Sequence, residues 1–297
     1  MAEITPQQFM QRILQLVDRF DSGLGSRREP VDWDGVTAAR WVPEGEGGWL
    51  RPLATSQDMQ LDDLLGIDRQ KQSLEANTRQ FVHGLPANNA LLWGARGTGK
   101  SSLVRALLNT YADAGLRLIE MDKNDLLHLP ALVAQLAGQP WRFLLFCDDL
   151  AFEADDSAYK SLKTVLDGTV EAAPENLLLY ATSNRRHLLP EQRSDNLGAS
   201  MVDGELHPGE AIEEKIALSD RFGLWVSFYP FSQEHYLEVV QHWLNELARA
   251  HQLQWQWSAS VQQQALRWAL SRGNRNGRCA YQFARSWVGA RLLEQHD

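Results

Sequence analysis

The chain has 297 residues, of which 44% are hydrophobic, and its formal net charge is -9 at pH 7. This length and apolar content allow a buried core and suggest about two domains. The negative charge repels a phosphate backbone at long range, which disfavours a protein that coats nucleic acid without sequence preference.

The cysteines and the amino terminus indicate the compartment. Cys147 and Cys279 form no CxxC pair, which suits a reducing environment. The first residues have neither a basic region nor an apolar one, and no later apolar run approaches the roughly 18 residues that a membrane span needs. We therefore expect a cytoplasmic protein with no membrane partner.

The first 60 residues are predicted to form a helix and then a β-hairpin. Thr5 and Pro6 suit the N-cap and the first turn of the helix. The apolar residues on one face of that helix are Phe9, Ile13, Leu16, Val17 and Phe20. This face either docks on the rest of the protein or binds a partner. Residues 39–54 then predict two short strands around a glycine-rich turn.

Residues 89–115 predict a strand, a glycine-rich loop and a helix in succession. Residues 94–101 fill the pattern G-x-x-x-x-G-K-[ST], in which backbone N–H groups converge on phosphates. Lys100 would neutralise phosphate charge, Ser101 would bind Mg²⁺, and Gly115 suits the end of the helix. A glycine turn that merely connects strand and helix is the alternative. The predicted nucleotide-binding residues here are Gly94, Ala95, Arg96, Gly97, Thr98, Gly99, Lys100, Ser101 and Ser102.

Two acidic residues follow the next apolar strand, which covers residues 143–147. An acid at the end of a strand beside a phosphate loop can hold Mg²⁺, and a second one can polarise the attacking water. We therefore assign Asp148 to the metal and Asp149 to the general base. An acidic turn after a core strand is the alternative interpretation.

A further apolar strand ends at Asn184, whose neutral amide can orient water or contact a γ-phosphate. A simple polar strand exit is the alternative. The polar segment from residue 185 to 219 is long for a connection, which predicts either a mobile functional loop or a poorly ordered one. Arg221 precedes an apolar strand over residues 224–229 and can reach the γ-phosphate of its own subunit or of a neighbour.

The chain from Ser232 onward shows three helical patterns. Arg278 comes at the start of the third one, directly after Gly277. An arginine at such a position is more often a solvated surface residue. Its place after the other motifs favours a nucleotide-sensing role.

Taken together, these motifs resemble those of AAA+ ATPases. Residues 94–101 are similar to Walker A and residues 143–149 to Walker B. "ATSNR" resembles the sensor 1 strand end, with Asn184 as the sensor. "SDRF" resembles the arginine-finger segment, with Arg221 as the finger, and "NGR" resembles sensor 2, with Arg278. The resemblance thus makes Asp149, Asn184, Arg221 and Arg278 the expected catalytic residues.

The motif "LDDLLGIDRQKQSL" resembles the segment that precedes Walker A in AAA+ proteins. The resemblance implies that Leu65, Gly66 and Ile67 lie against adenine. It also implies an α/β AAA+ P-loop NTPase core with a parallel five-stranded sheet, a small C-terminal helical lid, and an added N-terminal helix and β-hairpin. The implied domains are residues 1–60, 61–231 and 232–297.

Several longer stretches, among them "GTGKSSLVRALLN" and "LSDRFGLWVSFYPF", resemble a bacterial AAA+ family that carries only a domain-of-unknown-function label. The resemblance implies ATP and Mg²⁺ as cofactors and a homo-oligomer as the working form. Two departures stand out. Many AAA+ motors have glutamate where this chain has Asp149. In addition, the aromatic pore loop of peptide-threading motors is missing from its expected place, and this second departure disfavours a protein unfoldase.

Three functional hypotheses follow. The first is an oligomeric ATPase that rearranges an unknown protein client. The second is a nucleotide-gated switch that binds ATP and hydrolyses it slowly, because aspartate is one methylene shorter than glutamate. The third is ATP-dependent nucleic-acid handling through a local arginine patch, which the net charge disfavours.

Overall fold

The computed structural model describes residues 30–296 apart from position 46 and the segments 56–58, 153–157, 159–160, 164–165, 167–173, 186–187, 189–199, 203–204 and 208–220. The chain divides into two compact units, Met1–Asp32 and Trp33–Asp297. The predicted N-terminal helix lies outside the described residues.

A seven-stranded sheet organises the first part of the second unit, with the strand order β2-β1-β4-β5-β6-β3-β9. All of its strands are parallel to their neighbours except β2, which is antiparallel to β1. The strands are β1 (Ala38–Glu44), β2 (Gly47–Leu53), β3 (Ala90–Gly94), β4 (Leu116–Glu120), β5 (Arg142–Cys147), β6 (Leu177–Ser183) and β9 (Leu224–Phe228).

The predicted α/β fold is confirmed, but the number of strands is larger than the predicted five. The five expected strands, β4, β5, β6, β3 and β9, form the parallel core of the sheet. The predicted hairpin, β1 and β2, extends this sheet because β1 pairs with β4. An isolated two-stranded hairpin is marginal in water, so the additional pairing stabilises it.

Among the helices that lie between the sheet strands are α1 (Asp68–Val82), α2 (Lys100–Tyr111) and α3 (Leu129–Leu136). Leu74 of α1, Leu103 and Leu107 of α2, and Leu92 of β3 belong to one buried hydrophobic cluster. Two short 3₁₀ helices, Leu61–Asp63 and Lys123–His128, lie in the same part of the chain. The helix α2 therefore packs one apolar face on the sheet, as its sequence pattern predicts.

The predicted end of α2 was wrong by several residues. Its C-cap is Ala112, not Gly115. Residues 112–115 form a tight turn in which the Gly115 N–H donates to the Ala112 carbonyl. Gly115 has a φ of +98°, so the glycine is needed for the turn into β4 rather than for the helix end.

The C-terminal part is a helical subdomain with its own hydrophobic cluster. Its helices are α4 (Gln233–Ala250), α5 (Ala259–Ser271) and α6 (Gly277–His296). Ser232 and Ser258 cap the first two, since each hydroxyl accepts a backbone N–H. The three predicted helical patterns are thus confirmed. No helix in the described part of the chain is long and apolar enough to cross a membrane.

The polar segment before Arg221 contains a two-stranded antiparallel sheet, β7 (Ser200–Val202) with β8 (Glu205–His207). The sequence pattern predicts no strand there. Most of the remaining positions of this segment lie outside the described residues.

A buried polar cluster joins α1 to the centre of the sheet. Asn77 Nδ2 donates to the Tyr180 hydroxyl (2.9 Å). Thr78 Oγ1 already donates to the Leu74 carbonyl (2.8 Å), so the Tyr180 hydroxyl must donate to Thr78 Oγ1 (2.8 Å). Burial raises the pKa of Tyr180 to about 12, and its hydroxyl therefore stays protonated at neutral pH.

Tyr180→Phe is expected to destabilise the protein by about 1–3 kcal/mol, because Asn77 and Thr78 would each lose a buried partner. Urea unfolding followed by circular dichroism measures the loss. Tyr111→Phe is the matched control, because the half-buried Tyr111 hydroxyl donates only to Glu75 Oε1 at 3.3 Å. Equal losses in the two variants would contradict a special role for the buried cluster.

Candidate functional site

The glycine-rich loop connects β3 to α2 at the carboxyl edge of the sheet. Gly94 has a φ of +133°, and a Cβ atom there would lie 1.9 Å from the Phe228 carbonyl oxygen. Gly97 has a φ of +76°, and a Cβ atom there would lie 2.6 Å from Asn276 Nδ2. Glycine is therefore required at both positions, by backbone conformation and by close approach.

Lys100 begins α2, and its ammonium group turns back into the loop. Its side chain donates to the carbonyls of Gly94 and Ala95, each at 2.8 Å. Lys100 is only 7% exposed. Burial lowers the pKa of its ammonium group, although the nearby charges of Asp148 and Asp149 act in the opposite direction. The loop therefore holds a partly desolvated positive charge, which an anionic ligand would stabilise.

Asp148 joins three elements where the strands end. Its Oδ1 accepts hydrogen bonds from Ser101 Oγ (2.7 Å) on α2 and from Thr182 Oγ1 (2.5 Å) on β6. The structure thus brings together the two predicted metal ligands, Ser101 and Asp148. Among the described residues there is no group of three or more His, Cys, Asp or Glu side chains that could hold a metal ion. A site formed by the Ser101 hydroxyl and the Asp148 carboxylate suits Mg²⁺, because this ion commonly takes one or two protein oxygens together with substrate phosphates and water.

Asp149 is held by Thr182 of β6, by Asn184 directly after β6, and by Arg96 of the loop. Asn184 Nδ2 donates to its Oδ1. Arg96 Nη2 lies 3.4 Å from its Oδ2, and the Asp149 backbone N–H donates to Thr182 Oγ1 (2.9 Å). Its φ of +55° is uncommon for a residue other than glycine. Since the Arg96 and Asp149 side chains are 79% and 57% exposed, their ion pair contributes little stability.

Thr182 is a residue of the site that the sequence did not assign. Its hydroxyl accepts from the Asp149 backbone and donates to the Asp148 carboxylate, so it fixes both acids. The sequence does contain a signal for it: Thr182 lies near the end of an apolar strand, and the preceding apolar strand ends in two acids. Thr98, which the sequence assigns to the ligand, donates its hydroxyl to the Ala95 carbonyl (2.8 Å) and is 2% exposed.

The segment predicted to contact adenine lies beside the loop. Ile67 is buried, and a Cβ atom on Gly99 would lie 3.5 Å from its Cδ1. The Leu65 carbonyl contacts His235 Nε2 of α4 at 2.8 Å. A Cβ atom on Gly66 would lie 2.0 Å from the same nitrogen. The segment 65–67 is therefore in contact with both the loop and the helical subdomain.

Helix α6 begins directly against the loop. The Gly277 N–H donates to the Gly97 carbonyl (2.9 Å), and Asn276 Nδ2 donates to the Arg96 carbonyl (3.1 Å). Asn276 Oδ1 also accepts the N–H of Cys279 (2.8 Å), so it caps the helix. Arg278, the predicted sensor, is exposed in the first turn of α6.

Arg221 is not brought together with the loop of its own chain. It is half-buried and precedes β9, where Leu224 pairs with Ala90 at the start of β3. The loop follows Gly94 at the other end of β3. Four residues of strand separate the two ends by roughly 13 Å. The position of Arg221 therefore does not favour a contact with the nucleotide in the same subunit.

A protein-family model described as "Protein of unknown function (DUF815)" matches residues 34–291. No curated protein matches the sequence significantly. Among solved structures, a mutant of Thermotoga maritima RuvB has 13% identity and a TM-score of 0.50, over 77% of this chain and 64% of that one. The Aeropyrum pernix ORC1 protein in complex with DNA has 15% identity and a TM-score of 0.53, over 78% of this chain and 61% of that one.

Both solved structures are AAA+ ATPases, and the similarity confirms the predicted fold. At these identities the similarity concerns the fold alone. The chain spans less than two thirds of the length of either protein.

Proposed function

Because the chain belongs to the DUF815 family of proteins of unknown function and has an AAA+ ATPase fold, we propose that it binds ATP with Mg²⁺ and hydrolyses it. The observation that carries this proposal is the convergence of the loop with Ser101, Asp148, Asp149 and Asn184 at one edge of the sheet. These groups come from the loop, from α2 and from the residues that follow β5 and β6, so only the folded chain assembles them.

The residues of the site fit a magnesium nucleotide. The backbone N–H groups of the loop and the buried ammonium of Lys100 would bind the phosphates. Segment 65–67 would lie against the base. Ser101 and Asp148 supply the oxygen ligands that Mg²⁺ prefers, and the bound metal would neutralise phosphate charge during the reaction.

Asp149 would act as the general base, and the residues that contact it would hold its carboxylate in position. Asn184 orients the carboxylate from one side, while Arg96 lies near the other oxygen. Thr182 fixes the backbone of Asp149. A carboxylate held in this way can accept a proton from water that is positioned beside it.

Arg221 would complete the site of a neighbouring subunit rather than its own. Its position at the opposite end of β3 from the loop supports this assignment. The protein would then work as a homo-oligomer in which ATP at subunit interfaces drives the rearrangement of a protein client. Arg278, at the start of α6, would couple the helical subdomain to the state of the nucleotide.

A second candidate function is a nucleotide-gated switch with slow hydrolysis. The contacts of Asp149 favour it, because both carboxylate oxygens already have partners within the chain. Water would have to displace or share these partners before it could be activated. Such a protein would signal through the partners of its ATP-bound form.

The test of the shared interface is ATP turnover measured against protein concentration. The specific activity is expected to rise with concentration and to fall at least about tenfold in Arg221→Ala. A mixture of Arg221→Ala with Lys100→Ala should regain part of the activity, because one mixed interface then has both an intact loop and an intact arginine. A concentration-independent rate that Arg221→Ala leaves unchanged would rule out the shared interface. Tight ATP binding without turnover would favour the switch.

A further inference from the structure

The helical subdomain carries a concentrated positive charge. Residues 251–290 contain five arginines and neither aspartate nor glutamate, although the whole chain has a net charge of -9. All five arginines are exposed. They are Arg267, Arg272, Arg275, Arg278 and Arg285. The next arginine, Arg291, is paired with Glu294 at 2.7 Å. An acidic protein therefore presents a local surface that attracts polyanions.

A cleft lies between α5 and α6 on this subdomain, with a volume of about 480 Å³. Its lining consists of Trp268, Arg272, Gln282, Arg285 and Ser286. The lining includes no carboxylate and no aliphatic side chain, and each of these residues can donate a hydrogen bond. Such a lining favours an anionic ligand rich in acceptors.

The tryptophan in the cleft is combined with an arginine. The Arg272 guanidinium carbon lies 3.5 Å from the centroid of the Trp268 ring. Trp268 Nε1 is buried and has no hydrogen-bond partner within the described part of the protein. A flat cation stacked on a large aromatic ring offers a surface on which nucleobases also stack.

A line of polar residues connects the cleft to the start of α6. Arg278, Gln282 and Arg285 are spaced four and three residues apart, so they lie on one face of the helix. All three are exposed. Seven residues of helix extend about 10 Å, which continues the positive surface beyond the cleft towards the loop end of α6.

We propose that this surface binds single-stranded nucleic acid. The arginines would contact phosphates, and an unpaired base would stack on the Arg272 guanidinium that covers the Trp268 ring. An acidic protein segment fits less well, because protein interfaces centre on apolar anchors and the cleft offers no aliphatic pocket for one. A duplex fits less well because its bases are already stacked. The proposal does not depend on ATP hydrolysis.

The test is fluorescence anisotropy with the full chain and a labelled oligothymidylate of about 20 nucleotides, at about 50 mM salt. The double variant Arg272→Gln/Arg285→Gln is expected to bind at least about tenfold more weakly and with a smaller salt dependence. Arg249→Gln is the matched control: this exposed arginine lies on α4, pairs with Glu246 at 2.8 Å, and should leave the affinity within about twofold.

Trp268→Phe keeps a ring in the subdomain core but removes the larger ring that holds the Arg272 guanidinium, and it is expected to weaken oligothymidylate binding several-fold. Thermal melting of each variant excludes loss of the fold. The proposal is overturned if the wild type does not bind at low salt, or if the double variant binds as tightly as Arg249→Gln. Tighter binding of a labelled duplex, or of polyglutamate, than of oligothymidylate would also overturn it.

Discussion

Lys100→Ala is expected to weaken ATP binding by about 100-fold or more and to remove ATP turnover. Lys100 is the partly desolvated cation of the loop, and a phosphate that lost it would lose a charge-assisted hydrogen bond. Such bonds contribute about 1.5–3 kcal/mol each, and the loss of long-range attraction adds to this. Isothermal titration calorimetry with ATP and Mg²⁺ measures the change.

The fold itself should survive this substitution, because the loss of the two hydrogen bonds to the Gly94 and Ala95 carbonyls is offset by the removal of a charge that burial disfavours. We therefore expect the melting temperature without nucleotide to stay near that of the wild type, and only the wild type to gain stability from ATP. Lys163→Ala serves as the control, because it also replaces a lysine by alanine but at a position outside the loop. Unchanged ATP affinity in Lys100→Ala would refute the assignment of the loop.

The same lysine gives the binding a defined pH dependence. Burial lowers the pKa of Lys100 below its ordinary value of 10.5. Phosphate binding needs the ammonium form, so the affinity for ATP should be full at neutral pH and should fall as pH rises through this lowered pKa. The decline should begin at a lower pH than an ordinary lysine would give.

Asp149→Asn is expected to reduce ATP turnover by about 100-fold or more while ATP binding changes only a few-fold. The amide keeps the size of the side chain but cannot accept a proton from water, and general-base catalysis contributes about 10²–10⁴-fold. A phosphate-release assay and a binding titration on the same sample separate the two effects.

Asp148→Asn is the informative comparison, because that residue is assigned to Mg²⁺. It should shift the Mg²⁺ concentration needed for turnover, whereas Asp149→Asn should not. If Asp149→Asn turned over ATP at the wild-type rate, another group would have to be the base. If the wild type itself bound ATP without turnover, the switch would be the better account of the protein.

Features that depend on short stretches of sequence could be predicted. The strand, loop and helix around Lys100 follow from a local pattern of glycines and apolar residues, and the three C-terminal helices follow from their apolar periodicity. Asp148 and Ser101 are 47 residues apart in sequence, yet each follows a recognisable strand. Because parallel strands end at one edge of a sheet, their proximity could be inferred from the strands alone.

Features that depend on pairing between distant segments could not be predicted. The sequence indicated the hairpin at residues 39–54 but not that β1 would join β4, because nothing local specifies which strand edge remains available. The contact of Arg96 with Asp149 depends on two side-chain conformations and on a positive φ. The end of α2 was missed because "ADA" before Gly115 has good helix propensity, and the chain turns there only to enter β4.

The contacts of Asn276 and Gly277 with the carbonyls of Arg96 and Gly97 have a consequence for affinity. They order the loop when the protein folds, so the conformational entropy of that backbone is lost before any ligand arrives. Affinity for the nucleotide would then include the preorganisation that the start of α6 provides. A substitution that loosened α6 would weaken ATP binding without removing a single atom that touches ATP.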